Sequence, residues 1–256
     1  MMTAEVESEL EFEFRQWGSD GVISHLGPGE VHVWSALLDP ASSEIARFSE
    51  SLSQDEKERA NRFRFEKNRN EFIISRGSLR VLLGSYLGVP AHEVGFGYSH
   101  YGKPYLVDSD HISPVEFNLS HSEGIVLLAF TRGRKVGVDI EYVGRNFDFE
   151  EIAARFFSAA EQQMLRNTPT EERGTAFFRC WTRKEAYIKA LGNGLSHPLF
   201  EFDVSMAPTQ VSALLATRPD PSEADRWLLR DLPVTAGYVG ALAVEVDRDN
   251  PCSHGN

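Results

Sequence analysis

Apolar and polar positions along the chain alternate in two distinct rhythms. Phe72, Arg76, Leu79, Leu83 and Leu87 recur at three-to-four spacing, which predicts a helix from Asn68 to Leu87, stopped by Gly88 and Pro90. Helices are also predicted at about 148–156, 158–166 and 171–191, the last stopped by Gly192 and Gly194. Ser53 with Glu56 three residues later forms a capping-box pattern that opens another. Short runs rich in β-branched and aromatic residues predict strands at Val31–Leu37, Val115–Leu119, Ile125–Phe130, Val136–Glu141, Phe202–Ser205, Trp227–Leu229 and Tyr238–Val246. The runs Gly124–Phe130 and Gly237–Val244 resemble each other, a hint of two similar α+β halves meeting near residues 131–136. Residues 1–30 read as a flexible acidic tail, although Glu5, Glu7, Glu9, Glu11 and Glu13, alternating with small or apolar residues, also suit a frayed edge strand. Residues 247–256 read as a second flexible tail.

Composition narrows the class. The chain has 256 residues, enough for one large core or two small ones, and 41% are hydrophobic and 25% charged, ordinary values for a globular protein. No apolar run approaches the roughly 20 residues of a spanning helix, and the acidic N-terminus lacks a secretory signal's apolar stretch, so a cytoplasmic address is expected. Cys180 and Cys252 make no disulfide framework, and Cys180 reads as a buried small hydrophobe. A net charge of −12 argues against a nucleic-acid binder. That charge is uneven: Lys57 to Arg80 carries eight basic residues against three acids, so the segment is either a local anion site or a pair of solvated helix faces.

Three short stretches carry the chemistry. On the helix over 171–191, Glu185 and Lys189 are four apart and share a face, with Trp181 four residues earlier on the same side. In Gly137-Val138-Asp139-Ile140-Glu141, the two carboxylates point to one side of a strand, while Val136, Val138 and Ile140 anchor the other. Like charges so close are stable only if exposed or shared by a cation, and a hard ion such as Mg2+ suits oxygen ligands. In Asn118-Leu119-Ser120-His121-Ser122, hydroxyls and an imidazole after a short strand can donate to phosphate oxygens. Each stretch alone is an ordinary polar surface; together they form an inventory for phosphate and metal. There is no G-x-S-x-G elbow, Walker loop, G-x-G-x-x-G or HExxH, so phosphates would be held by side chains and an ion.

With Tyr101-Gly102-Lys103-Pro104 and Phe156-Phe157-Ser158 plus Glu161, these stretches resemble, in order and over roughly residues 50–205, the Sfp-type 4'-phosphopantetheinyl transferases. The resemblance implies an α+β monomer of two similar α/β subdomains, 31–132 and 133–246, related by a pseudo-twofold axis with the coenzyme A site between them. It implies Asp139, Glu141 and Glu185 as ligands of Mg2+ or Mn2+, and Lys189 and His121 as phosphate contacts with Ser120 beside them. Arg76, Lys103 and Pro104, helped by Arg59 and Arg62, are implied for the adenosine 3'-phosphate. Glu185, Lys189 and His121 are then the catalytic groups, with Glu185 or a metal-bound water as the base. The implied reaction moves phosphopantetheine from coenzyme A to a serine of an acyl, polyketide or peptidyl carrier protein, releasing 3',5'-ADP. An acidic carrier would meet either the Arg59–Arg80 region or the apolar face around Phe156–Leu165. Two other readings use the same residues: a metal-dependent hydrolase of coenzyme A or nucleotide pyrophosphates, and a catalytically silent carrier-binding protein.

Overall fold

The computed structural model describes residues 10–17, 25–39, 43–107, 114–144, 148–192, 194–208 and 213–246. The chain runs through β1 (Glu11–Gln16), β2 (Glu30–Leu37), α1 (Ile45–Ser51), α2 (Gln54–Asn61) and α3 (Glu66–Leu87). The hairpin β3 (Phe96–Tyr98) and β4 (Pro104–Leu106) follows, then β5 (Val115–Ser122), β6 (Ile125–Arg132) and β7 (Val136–Tyr142). The remainder comprises α4 (Phe149–Phe156), α5 (Ala159–Asn167), α6 (Thr170–Leu191), β8 (Phe202–Val204), β9 (Leu214–Thr217), β10 (Trp227–Asp231) and β11 (Tyr238–Glu245).

Strand pairing repeats itself. The two larger of the four sheets among the described residues have the orders β1-β2-β6-β5 and β10-β11-β7, beside the two-stranded sheets β3-β4 and β8-β9. In each of the larger two, a first strand pairs antiparallel with a last strand, which pairs antiparallel with the one before it in sequence: β2-β6-β5 and β7-β11-β10. The two runs that resemble each other in sequence are thus the central strands β6 and β11. Two helices of 22 residues, α3 and α6, each end at a left-handed glycine, Gly88 (φ 69°) and Gly192 (φ 79°).

Both faces of β6 are buried, which is why it is apolar from Ile125 to Phe130. Val126, Leu128 and Phe130 pack with α3, while Ile125, Leu127 and Ala129 face the second sheet. Val136, Val138 and Ile140 of β7 meet them, as the alternation predicts, with Leu242 and Val244 of β11. Outside the second sheet, α6 contributes Phe177, Tyr187 and Ile188 to a core shared with Phe202 and Trp227. Cys180 is fully buried in this core.

Gly137 sets how closely α6 approaches β7. A Cβ there would lie 2.0 Å from Ala186 O and 2.5 Å from Ala190 N, so only glycine lets helix and strand backbones touch. Gly137→Ala is expected to cost about 3 kcal/mol by forcing them apart, read from urea unfolding; a loss under about 0.5 kcal/mol would show the contact to be loose.

The tail reading of residues 1–30 is corrected where structure is described. Glu11–Gln16 pair in parallel with Glu30–Ser35, Leu10 is 5% exposed, and Phe12 and Phe14 pack on the core between the sheets. Apolar burial on alternate residues outweighs the ordering of this edge strand. Residues 1–9, 18–24 and the second tail, 247–256, lie outside the described residues. Among the described residues, no helix is long and apolar enough to cross a membrane.

Candidate active site

The strand carrying the Ser-His-Ser run continues through Ser122, so these residues lie within β5 rather than at a turn after it. Alternation then separates them. Asn118, Ser120 and Ser122 turn inward, while His121 is exposed. β5 and β7 are the edge strands of their sheets, and the inward residues of β5 bridge to β7. Val138 N–H donates to Asn118 Oδ1 at 3.0 Å and Tyr142 N–H donates to Ser122 Oγ at 3.1 Å. Ser120 Oγ donates to Asp139 Oδ1 at 2.7 Å, and Ser122 Oγ to Glu141 Oε2 at 3.0 Å. Polar side chains thereby satisfy a strand edge that would otherwise be bare.

Gly137, Asp139 and Glu141 share the face of β7 that receives α6. Beside the Gly137 contact, the helix presents Trp181, Glu185 and Lys189, which with Asp139, Glu141 and His121 border a cavity of about 430 Å3. Lys189 Nζ lies 2.6 Å from Asp139 Oδ1 and donates to Ser120 Oγ at 2.9 Å. Asp139 is 4% exposed, and its second oxygen, Oδ2, is buried without a hydrogen-bond partner. A buried carboxylate oxygen in this state is an acceptor awaiting a cation or a donor. Trp181 closes one side, packed edge-on against Phe156 at 5.8 Å.

Glu185 is the perturbed acid here. Burial, then the nearby Asp139 and Glu141 charges, push its carboxyl up to about 7, against the pull of Lys189. Between its ordinary 4.5 and about 7, the folded chain therefore keeps a proton that the unfolded chain releases. Stability falls as pH rises through that window. The ligand-free chain is expected to melt lower at pH 8 than at pH 5, with Glu185→Gln showing a smaller drop in the same thermal scans; equal drops would remove Glu185 from the linkage.

A second cavity, of about 230 Å3, shares Leu119 and Lys189 with the first and is bordered by Tyr101, Lys103, Pro104 and Asn118. Lys103 reaches across from the β3–β4 loop: its Nζ donates to Lys189 O at 2.6 Å and to Ala190 O at 3.5 Å, capping the carbonyl end of α6. Burial pushes the Lys103 ammonium down from its usual range.

The structure thus brings together Ser120, His121, Asp139, Glu141, Glu185 and Lys189 around one cavity, with Lys103 and Pro104 at the adjoining one. It does not bring Arg59, Arg62 or Arg76 to either. Arg76 and Arg80 both bind the buried Glu56; burial draws the Glu56 carboxyl up, but the two guanidiniums outweigh it and hold it low. Arg76 also stacks 3.9 Å over Phe96 and donates to Tyr98 OH at 2.9 Å, tying α3 to the hairpin that carries Lys103. Arg59 and Arg62 are exposed on and just after α2, Arg59 lying 5.2 Å over Phe72. Of the apolar face around Phe156–Leu165, Phe157 and Leu165 are core residues at 3% and 5% exposure. Sequence reasoning singled out the run Asn118–Ser122 but aimed its hydroxyls at phosphate rather than at β7, because it ended the strand at Leu119; the Asn-x-Ser-x-Ser alternation was the available signal.

Among the described residues, no three His, Cys, Asp or Glu side chains stand in an arrangement that by itself holds a metal ion. The donor set nevertheless fits a hard divalent cation. It is all carboxylate oxygen, and one buried oxygen has no partner. Such ions commonly complete their shell with water and substrate phosphate rather than with a protein cage.

An α+β protein with three carboxylates and a lysine gathered at one cavity between β5, β7 and α6 suits a phosphate-handling class. Residues 135–243 match the model of the 4'-phosphopantetheinyl transferase superfamily, and residues 36–132 match that of the 4'-phosphopantetheinyl transferase N-terminal region. The chain is 42% identical to 4'-phosphopantetheinyl transferase HetI of Nostoc sp. over 84% of its own length and 87% of that protein's. It is 30% identical to 4'-phosphopantetheinyl transferase Sfp of Bacillus subtilis over 65% of this chain and 71% of that one. It is 29% identical to the L-aminoadipate-semialdehyde dehydrogenase-phosphopantetheinyl transferase of Mus musculus over 80% and 71%. The chain belongs to the 4'-phosphopantetheinyl transferase superfamily.

Proposed function

We propose that this chain transfers the 4'-phosphopantetheine group of coenzyme A to a serine of an apo acyl, polyketide or peptidyl carrier protein. The observation that carries the reading is the convergence of Asp139, Glu141, Glu185 and Lys189 at one cavity in a member of this family. The recurring strand order, and two family matches that meet between residues 132 and 135, support two halves related by a pseudo-twofold axis, divided near residue 132, with coenzyme A between them. Two cavities that share Leu119 and Lys189 favour a ligand lying across both. We place the chain in the cytoplasm as a monomer, where coenzyme A and carrier proteins meet.

In the reaction the carrier serine oxygen attacks the β-phosphorus of coenzyme A, and the bond from that phosphorus to the oxygen of the leaving 3',5'-ADP breaks. Lys189 passes from Asp139 to the diphosphate, where with exposed His121 it offsets charge building on the phosphates. Lys103 and Pro104 receive the adenosine 3'-phosphate end, with Arg76 holding their hairpin through Tyr98. Glu185 takes the serine proton. A divalent cation, Mg2+ or Mn2+, held by Asp139, Glu141 and Glu185 would supply charge neutralisation on the diphosphate. The exposed Arg59, Arg62, Arg64 and Lys67 suit an acidic carrier on a chain whose net charge is −12.

Intact mass of an apo carrier incubated with this chain, coenzyme A and Mg2+ tests the proposal. A gain of roughly 340 Da that EDTA prevents is expected for metal-assisted transfer. Coenzyme A consumed without any gain in carrier mass would replace transfer by hydrolysis, and binding without turnover would leave a silent carrier-binding protein.

A further inference from the structure

We infer that Ser122 is a positioning residue for Glu141, fixing that carboxylate for cation binding as Ser120 fixes Asp139. The inference rests on the metal-assisted reading above. Ser122 is 2% exposed and does not border the cavity, so it acts through the residue it holds. Two of its contacts make opposite demands on the hydroxyl. The Tyr142 N–H at 3.1 Å has no lone pair, so the serine oxygen accepts there. The hydroxyl proton is then directed to Glu141 Oε2, 3.0 Å away. The Tyr142 amide thus selects the rotor state that serves the carboxylate.

The same arrangement recurs two residues earlier, where Ser120 Oγ donates to Asp139 Oδ1 at 2.7 Å. Both carboxylates lie on β7, in the second half, and both hydroxyls lie on β5, in the first. Glutamate has one more rotatable bond than aspartate and less burial here, so it gains more from an anchor outside its own strand. Outer hydrogen bonds of this kind orient ligating carboxylates, and their loss commonly weakens metal affinity 10- to 100-fold. Both carboxylates therefore take a hydrogen bond across the seam between β5 and β7.

The test is Mn2+ binding to the full chain without coenzyme A, followed by loss of the free-ion electron paramagnetic resonance signal. Ser122→Ala is expected to weaken Mn2+ about tenfold, and Ser122→Cys, which keeps the shape with a weaker donor, to fall between it and the parent. In a Glu141→Ala background, Ser122→Ala should produce no further loss, because the carboxylate it positions is gone. A purely structural serine would instead lower the melting temperature and weaken Mn2+ equally in both backgrounds. That result, or unchanged affinity in both single variants, would overturn the inference while leaving the proposed reaction standing. A parent chain that binds no Mn2+ would remove the cation reading and this inference with it, and carrier mass gain insensitive to EDTA would mark that case.

Discussion

Glu185→Gln is expected to lower the rate of carrier modification by about 10^2- to 10^4-fold, the range for loss of a general base, while raising thermal stability at pH 8. The two effects have one origin. The carboxyl is desolvated and faces Asp139 and Glu141, which is why its proton is held to about 7. Three carboxylates gathered with one lysine form a costly arrangement that a neutral amide relieves, but the amide can neither take the serine proton nor contribute an anionic ligand. Single-turnover mass spectrometry and thermal scans at pH 8 read the two sides separately. A variant keeping more than about a tenth of the parent rate would take proton transfer away from Glu185. A lower melting temperature would assign the residue to the fold instead.

One position earlier, the expectation reverses. Lys184→Met is expected to destabilise the chain by about 3–5 kcal/mol, the cost of stranding one member of a buried ion pair. Successive helix residues point about 100° apart, and Lys184 turns into the core that α6 shares with Phe202 while Glu185 faces the cavity. Both Lys184 and Glu161 are fully buried, with Nζ 2.8 Å from Oε1. The ammonium also donates to Leu199 O at 2.6 Å and Phe202 O at 2.7 Å, and lies 4.1 Å over the Phe202 ring. Glu161 meanwhile accepts from Ser158 N–H at 2.9 Å and Val204 N–H at 2.8 Å, joining the start of α5 to β8. Removing the lysine leaves a buried carboxylate and two carbonyls without their donor. A loss of that size is a large fraction of the ~5–15 kcal/mol that holds a domain together. Urea unfolding measures it, and adding Glu161→Gln to the same chain should recover part of the loss by removing the stranded charge. An unfolding midpoint within error of the parent would mean that Lys184 and Glu161 are not a desolvated pair in solution.

The sequence by itself determined a good deal. Apolar spacing and stop glycines placed α3 and α6 within about two residues, an ordinary margin for element ends. Alternation put Asp139 and Glu141 on one face of β7 with Val136, Val138 and Ile140 behind them, and helical periodicity aligned Trp181, Glu185 and Lys189. These are local properties, fixed by two repeat lengths, and nothing remote is needed to read them. Tertiary structure decided which polar groups meet. Arg76 and Arg80 look like an anion site in the sequence, yet both guanidiniums are consumed by Glu56, because a charge pattern carries no record of a partner 20 or 24 residues away. Lys184 and Lys189 are alike on paper, and only the packing of α6 against Phe202 and Asp139 makes one a core anchor and the other the cation of the cavity. Phe12 and Phe14 lie in a strand, with Leu10 just before it, only because the core between the sheets offers their side chains a place. Asn118, Ser120 and Ser122 have meaning only once the edge of β7 lies beside them. Local periodicity settles which face of an element is apolar, while the partner of each polar group is settled by close packing between segments far apart in the chain.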